Sequence, residues 1–124
     1  MKALVYTGTN ASEVCNVEAP VAAAGQSVVD LSFCGICGSD MHAWHGHDER
    51  RIPPLVLGHE AVGTALTGPL AGRRVAVNPL MTCHECPACD SGNHHLCGTR
   101  ELIGMRYPGA FAEQVMVPDF NLTV

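Results

Sequence analysis

The sequence predicts a mainly β domain, a small β-barrel with short helices and a cysteine-rich lobe, on three observations. Short strand-like runs recur at close spacing, as in small closed or half-closed sheets. Thirteen glycines and eight prolines punctuate a chain of only 124 residues. Cys83, Cys86, Cys89 and Cys97 stand at C-x2-C-x2-C-x7-C. Gaps of two let a tightly turned segment aim several sulfurs at one point. Zn²⁺ takes four ligands in a tetrahedron, so an all-thiolate shell leaves no open position. The spacing therefore predicts a closed, structural zinc site holding a lobe over about residues 80–100.

The elements follow from local composition. Ala3 to Tyr6 and Glu13 to Val17 read as strands about a Gly8-Thr9-Asn10 turn. Pro20 to Gly25 reads as a loop, since Pro and Gly bracket too short a run for a helix. Ser27 to Cys34 alternates, with Val29, Leu31 and Phe33 on the face expected to be buried. Gly35 to Gly38 breaks that strand. Ser39-Asp40 offers an N-cap for a short helix over Met41 to Trp44, ended near Gly46. Arg50 to Pro54 is expected to be an exposed loop. Leu55 to Leu57, His59 to Leu66 and Arg73 to Val77 are strand-like, the last closed by Pro79. Ala110 to Val117 is the final clear strand before Pro118.

Bulk composition excludes several classes. Seven Lys and Arg face twelve Asp and Glu, a formal charge of −5, and the only basic clusters are Arg50-Arg51 and Arg73-Arg74. Nucleic-acid binding rests on clustered cations neutralising phosphates, so none is expected. No run approaches the roughly 18 apolar residues of a membrane span. The apolar start is too short for a signal peptide, and seven cysteines do not suit a secreted disulfide framework. A reducing cytoplasm with metal-bound thiols is expected.

A second constellation joins Cys37-Gly38-Ser39-Asp40-Met41-His42 to Gly58-His59-Glu60. A thiolate and an imidazole from different elements can converge on one metal and leave a position open, the pattern of a catalytic zinc. With these residues in view, the chain resembles the zinc-containing medium-chain alcohol and polyol dehydrogenases. The resemblance runs through Gly35-Ile36-Cys37-Gly38-Ser39-Asp40, Gly58-His59-Glu60, Arg74-Val75-Ala76-Val77-Asn78-Pro79, the cysteine lobe and Gly109-Ala110-Phe111-Ala112-Glu113. It implies a GroES-like β-barrel over residues 1–124, from the catalytic domain, and leans towards the sugar-alcohol and diol branch.

Further roles come only with that resemblance. It implies that Cys37 and His59 ligate the catalytic zinc, with Glu60 beside the metal as a transient or substitute ligand. Asp40 accepts the free ring N–H of His59. Ser39 takes the proton of the alcohol and His42 hands it towards solvent. The segment between His59 and Arg73 is shorter than the family usually shows. A third catalytic ligand and the nucleotide-binding domain would lie beyond Val124. No two glycines here are separated by one residue, so the G-x-G-x-x-G fingerprint is absent. The expectation is a part of a longer enzyme, inactive alone, with a firmly held structural zinc and a weak or empty catalytic site. NAD or NADP is expected only in the full-length enzyme, which would act on an alcohol or polyol and could be a homo-oligomer. The rivals are a zinc-stabilised binding module and a free-standing GroES-like oligomeric barrel. Neither explains Cys37, His59 and the relay residues.

The remaining candidates have plainer readings. Cys34, at C-x2-C from Cys37, is expected to be a packed thiol rather than a redox partner, and Cys15 a small core residue. His45, His47, His84, His94 and His95 are expected to be exposed, and Glu113 to stabilise local structure. Trp44 and Tyr107 either line a cleft or cover the barrel.

Overall fold

The computed structural model describes residues 1–124. In chain order it has strands β1 (Lys2–Gly8), β2 (Ala11–Asn16) and β3 (Gln26–Gly35), then helix α1 (Gly38–Trp44). Strands β4 (Leu55–Val56), β5 (Glu60–Ala65), β6 (Arg74–Val77) and β7 (Leu80–Met81) precede helix α2 (Pro87–Asp90). Strands β8 (Glu101–Leu102), β9 (Gln114–Pro118) and β10 (Leu122–Thr123) complete it. The fold is mainly β, as the sequence predicts.

Small and β-branched residues build the core, because they suit a pleated, half-buried surface. Val29, Ala61, Ala65, Val75, Val77, Val115 and Val117 pack with Ile103, Ala110 and Leu122. They belong mostly to a five-stranded sheet in the order β10-β6-β5-β3-β9, with every pairing antiparallel. This sheet curls into a half-barrel. A second sheet, β2-β1-β4, lies beside it. The two are joined by residues 110–113, which run along β1: Leu4 donates to the Phe111 carbonyl at 2.7 Å and Glu113 to the Lys2 carbonyl at 3.0 Å. The Glu113 carboxylate accepts from the Lys2 N–H at 2.8 Å, the local structural role expected of it. The expected strand over Ala110 to Val117 is therefore divided, its first half serving β1 and its second forming β9.

Phe33 departs from its expected place. It is 73% exposed, although simple alternation puts it with Val29 and Leu31 on the buried face. The β3–β5 register shifts between Leu31 and Phe33, opposite Gly63. A Cβ on Gly63 would run into the Asp30 carbonyl, so only glycine admits this bulge. One extra residue reverses the alternation, turning Phe33 outward and Cys34 against the core.

Three further expectations change. Helix α1 begins at Gly38, with Cys37 as its extended N-cap, so Ser39 and Asp40 lie inside its first turn. Asp40 accepts the Cys37 backbone N–H at 3.0 Å, half of a capping box. His59 falls just before β5, not within it. Arg51 is only 4% exposed, in a segment expected to be wholly at the surface. Trp44 packs on a small second core of Tyr6, Ala43 and Leu57. Cys15 is half-buried on β2, outside both cores. No helix is long and apolar enough to cross a membrane.

Candidate metal centres

The cysteine lobe is closed at its base by the β7–β8 pair, Leu80 opposite Leu102 and Met81 opposite Glu101. From there Cys83 enters, and Cys86 caps α2, whose first residue is Pro87, the position at which a missing N–H costs nothing. That single turn delivers Cys89, and a 3₁₀ turn over His94–Leu96 delivers Cys97. The four sulfurs all lie within 4.8 Å of one another. Cys83 Sγ is 4.0 Å from Cys89 Sγ and 3.6 Å from Cys97 Sγ. A disulfide needs about 2.05 Å, and none of the seven cysteines is paired. Four sulfurs about 2.3 Å from a tetrahedral zinc stand about 3.8 Å apart, and these spacings straddle that value.

The thiols of the lobe differ in how readily each ionises. The Thr99 hydroxyl and the Cys83 backbone hold the Cys97 thiol down to about 6. The Cys89 backbone lowers Cys86 as well. Burial and the neighbouring Cys86 push Cys89 up to about 11. Crowded thiols cannot all ionise together unless a cation gathers them, so the donor set fits Zn²⁺.

The second cluster is assembled from two corners. Cys37 sits at the cap of α1, and His59 and Glu60 at the entry to β5. Their donor atoms all lie within 4.8 Å of one another. Gly35 pairs with Glu60 across the sheet, and a Cβ on Gly35 would overlap the Glu60 carboxylate. Glycine there leaves room for Glu60 to lie over the strand end. Gly58, at φ +90°, makes the turn that aims His59, and a Cβ on it would meet the Phe111 ring at 2.5 Å.

Hydrogen bonds grip that turn on both sides. Ala110 donates to the Gly58 carbonyl at 2.9 Å, and Phe111 to the Leu57 carbonyl at 2.9 Å. Gly109 approaches so closely that a Cβ on it would overlap the Gly58 carbonyl oxygen. Asp40, 1% exposed, ties the corners together: Oδ2 accepts from Cys37 N and Oδ1 from Gly58 N at 3.2 Å. His59 Nδ1 is buried without a hydrogen-bond partner, and its nearest acceptor is Asp40 Oδ1 at 3.4 Å. A thiolate, an imidazole and a carboxylate around an oriented ring are a donor set that zinc accepts.

The other sequence candidates sort around these centres. Ser39 is half-buried and His42, one turn along α1, is exposed. Burial pushes the Cys34 thiol up to about 11, which suits a packed thiol and not a redox-active one. Trp44 covers the second core and, with Ile36, Met41 and Phe111, lines an apolar cavity of about 210 Å³ that reaches Asp40. The largest groove, about 880 Å³, lies elsewhere and touches none of Cys37, Ser39, His59 and Glu60. The His84 ring packs against Phe120 at a tilt of 46°, with ring centroids 3.7 Å apart, resting the lobe on the turn between β9 and β10. Gly104 and Arg51, which brace the Gly58 corner, carried no sequence signal beyond their residue types, whereas Gly109 stood at the head of a run that carries the resemblance.

Comparison with known proteins identifies the domain. Residues 23–124 match the alcohol dehydrogenase GroES-like domain. The starvation-sensing protein RspB of Escherichia coli K12 is 35% identical over 98% of this chain and 38% of its own length. The 2-dehydro-3-deoxy-L-galactonate 5-dehydrogenase of Pseudoalteromonas atlantica is 36% identical over 90% of this chain and 35% of its own. The crystal structure of an alcohol dehydrogenase, RspB, from Escherichia coli CFT073 in complex with NADH superposes with a TM-score of 0.91 at 33% identity. That superposition covers 99% of this chain and 37% of the other. The chain thus spans little more than a third of the length of these relatives.

Proposed function

The chain belongs to the zinc-containing medium-chain alcohol and polyol dehydrogenases, through their GroES-like domain, and on that premise we propose that it is the part of such an enzyme that binds and activates the alcohol. Residues 1–124 would form one catalytic domain with a zinc-stapled lobe at about 80–100. The observation that carries this reading is the convergence of Cys37, His59 and Glu60 within 4.8 Å, with the Asp40 carboxylate behind the His59 ring.

Zinc held by these residues would supply a Lewis acid that makes a hydroxyl acidic near neutral pH, with a nicotinamide cofactor, bound by residues outside this chain, as the hydride acceptor. The protein's own groups do the rest. Asp40 Oδ1, 3.4 Å from His59 Nδ1, would favour the tautomer with Nδ1 protonated and Nε2 free to ligate. Glu60 contributes the third donor and yields it if a residue beyond this chain takes that position. Ser39 accepts the proton of the alcohol, and His42 carries it outward. The change from half-buried Ser39 to exposed His42 gives that path its direction. A hydroxylated carbon chain such as a sugar acid is the substrate class suggested by the relative named 2-dehydro-3-deoxy-L-galactonate 5-dehydrogenase. Cys83, Cys86, Cys89 and Cys97 would hold a second zinc with no chemical role. In this reading the chain alone turns over no substrate.

Cobalt titration tests the second centre. The wild-type chain is expected to bind two Co²⁺, and Cys37→Ser to bind one, losing its share of the thiolate-to-cobalt absorption. Glu60→Gln should weaken that second site about tenfold or more, if the carboxylate is a donor. Unchanged stoichiometry and spectrum in Cys37→Ser would remove the basis of the proposal.

A further inference from the structure

Arg51 is the only buried cation of the chain, 4% exposed. Burying a guanidinium is costly unless its donors are satisfied, so its partners indicate what it is for. Nε donates to the Gly104 carbonyl at 2.9 Å. Nη1 donates to the Ser39 carbonyl at 3.2 Å and to Asp48 Oδ2 at 2.8 Å. The ion pair with Asp48, whose side chain is 7% exposed, offsets part of the cost of burial but leaves the two carbonyl contacts to be explained. Arg50 already engages both oxygens of that carboxylate, at 2.9 and 3.0 Å.

The two carbonyls belong to the two corners of the Cys37–His59 centre. Ser39 lies in the first turn of α1, next to Asp40. Gly104 packs on the Gly58 backbone so tightly that a Cβ on it would stand 2.8 Å from the Gly58 carbonyl oxygen. Gly58 in turn donates to Asp40. The contacts close a ring: Ser39, Arg51, Gly104, Gly58, Asp40 and back to α1. Asp40 joins the corners on one side and Arg51 on the other.

We infer that Arg51 is a positioning residue, which sets the first turn of α1 against the Gly58–His59 corner and thereby fixes the spacing of the donors on Cys37 and His59. The inference rests on the metal-centre reading above for its functional consequence, and on these hydrogen bonds together with the Gly104–Gly58 packing contact for its structural one. A planar fork reaches acceptors on three segments at once. A lysine ammonium keeps the charge but is a point donor on a flexible stem. Arg51→Lys is therefore expected to behave like Arg51→Met, not like the wild type.

Two readouts decide. Amide hydrogen exchange of Gly58, Cys37 and Ala110, the N–H groups that clamp the two corners, should be about tenfold faster or more in Arg51→Lys, while amides of the β3–β5 and β5–β6 pairings keep their rates. Wild-type rates at the three amides in Arg51→Lys would overturn the inference. A uniform acceleration across β5 and β6 would do the same, since it marks general destabilisation. Cys37-dependent Co²⁺ binding should weaken about 10- to 100-fold in Arg51→Lys, the size of effect seen when groups supporting metal ligands are changed, with the four-cysteine site still filled. Unchanged affinity would refute the functional half. If the wild type shows no Cys37-dependent cobalt absorption, the metal-centre reading fails, and the exchange rates still decide the role of Arg51. Should Arg51→Met not fold, Arg51→Lys carries both readouts.

Discussion

Cys97→Ser is expected to remove one zinc per chain and to unravel the lobe between Cys83 and Cys97, with the five-stranded sheet left standing. The reason is how little else holds the lobe. Between residues 83 and 97 only Cys89 and Cys97 are buried, and both are proposed ligands. Its base is a two-pair ladder, and its aromatic contact with the rest of the domain is His84 packed at a tilt against Phe120. A structural zinc contributes an apparent ~10–16 kcal/mol in small metal-folded peptides, far more than such contacts can replace. The core of Val29, Val75, Val77, Val115 and Val117 lies outside the lobe, so its loss should be local. Zinc content by elemental analysis, with hydrogen exchange over residues 84–96, reads both effects. Wild-type zinc content and protection in Cys97→Ser would contradict the structural-site assignment.

Asp40→Asn should weaken the second centre and the fold around it together. The carboxylate accepts two backbone N–H groups, from Cys37 and Gly58, one on each oxygen, in a setting 1% exposed. An amide of the same shape has one acceptor oxygen and turns an N–H₂ donor towards the other N–H. One buried donor is then unpaired, at about 1–3 kcal/mol. The same amide cannot hold the His59 Nδ1 proton if its nitrogen faces the ring, so metal affinity at Cys37 and His59 should also fall about 10- to 100-fold. Thermal unfolding measures the first effect and Co²⁺ titration the second. A variant with lowered stability but wild-type cobalt affinity would make Asp40 a cap for α1 and nothing more.

The lobe was legible in the sequence because its four cysteines stand at a spacing that suits one metal, whereas Cys37 and His59, on separate elements, took their proposed role only from the family resemblance. The mainly β architecture was legible too, through turn residues between short runs. Phe33 was misread because a bulge adds one residue to one strand, and alternation alone does not reveal where. The start of α1 was misread because Ser39 and Asp40 are common N-caps, whereas Asp40 acts from within the helix on Cys37. Arg51 lies beside Arg50 and before Pro53-Pro54, a context that reads as solvated loop. Its acceptors are main-chain carbonyls at Ser39 and Gly104, and carbonyls carry no residue signature. Gly104 escaped for the same reason: what it provides is an approach of backbone to backbone.

Zinc-edge anomalous diffraction from crystals of the zinc-loaded chain tests the central claim, that it builds one closed metal centre and one open one. Two peaks are expected. One should lie about 2.3 Å from the sulfurs of Cys83, Cys86, Cys89 and Cys97, the other about 2.0–2.3 Å from the donors of Cys37, His59 and Glu60. A single peak in the lobe, with Cys37 and His59 touching no metal at saturating zinc, would contradict it.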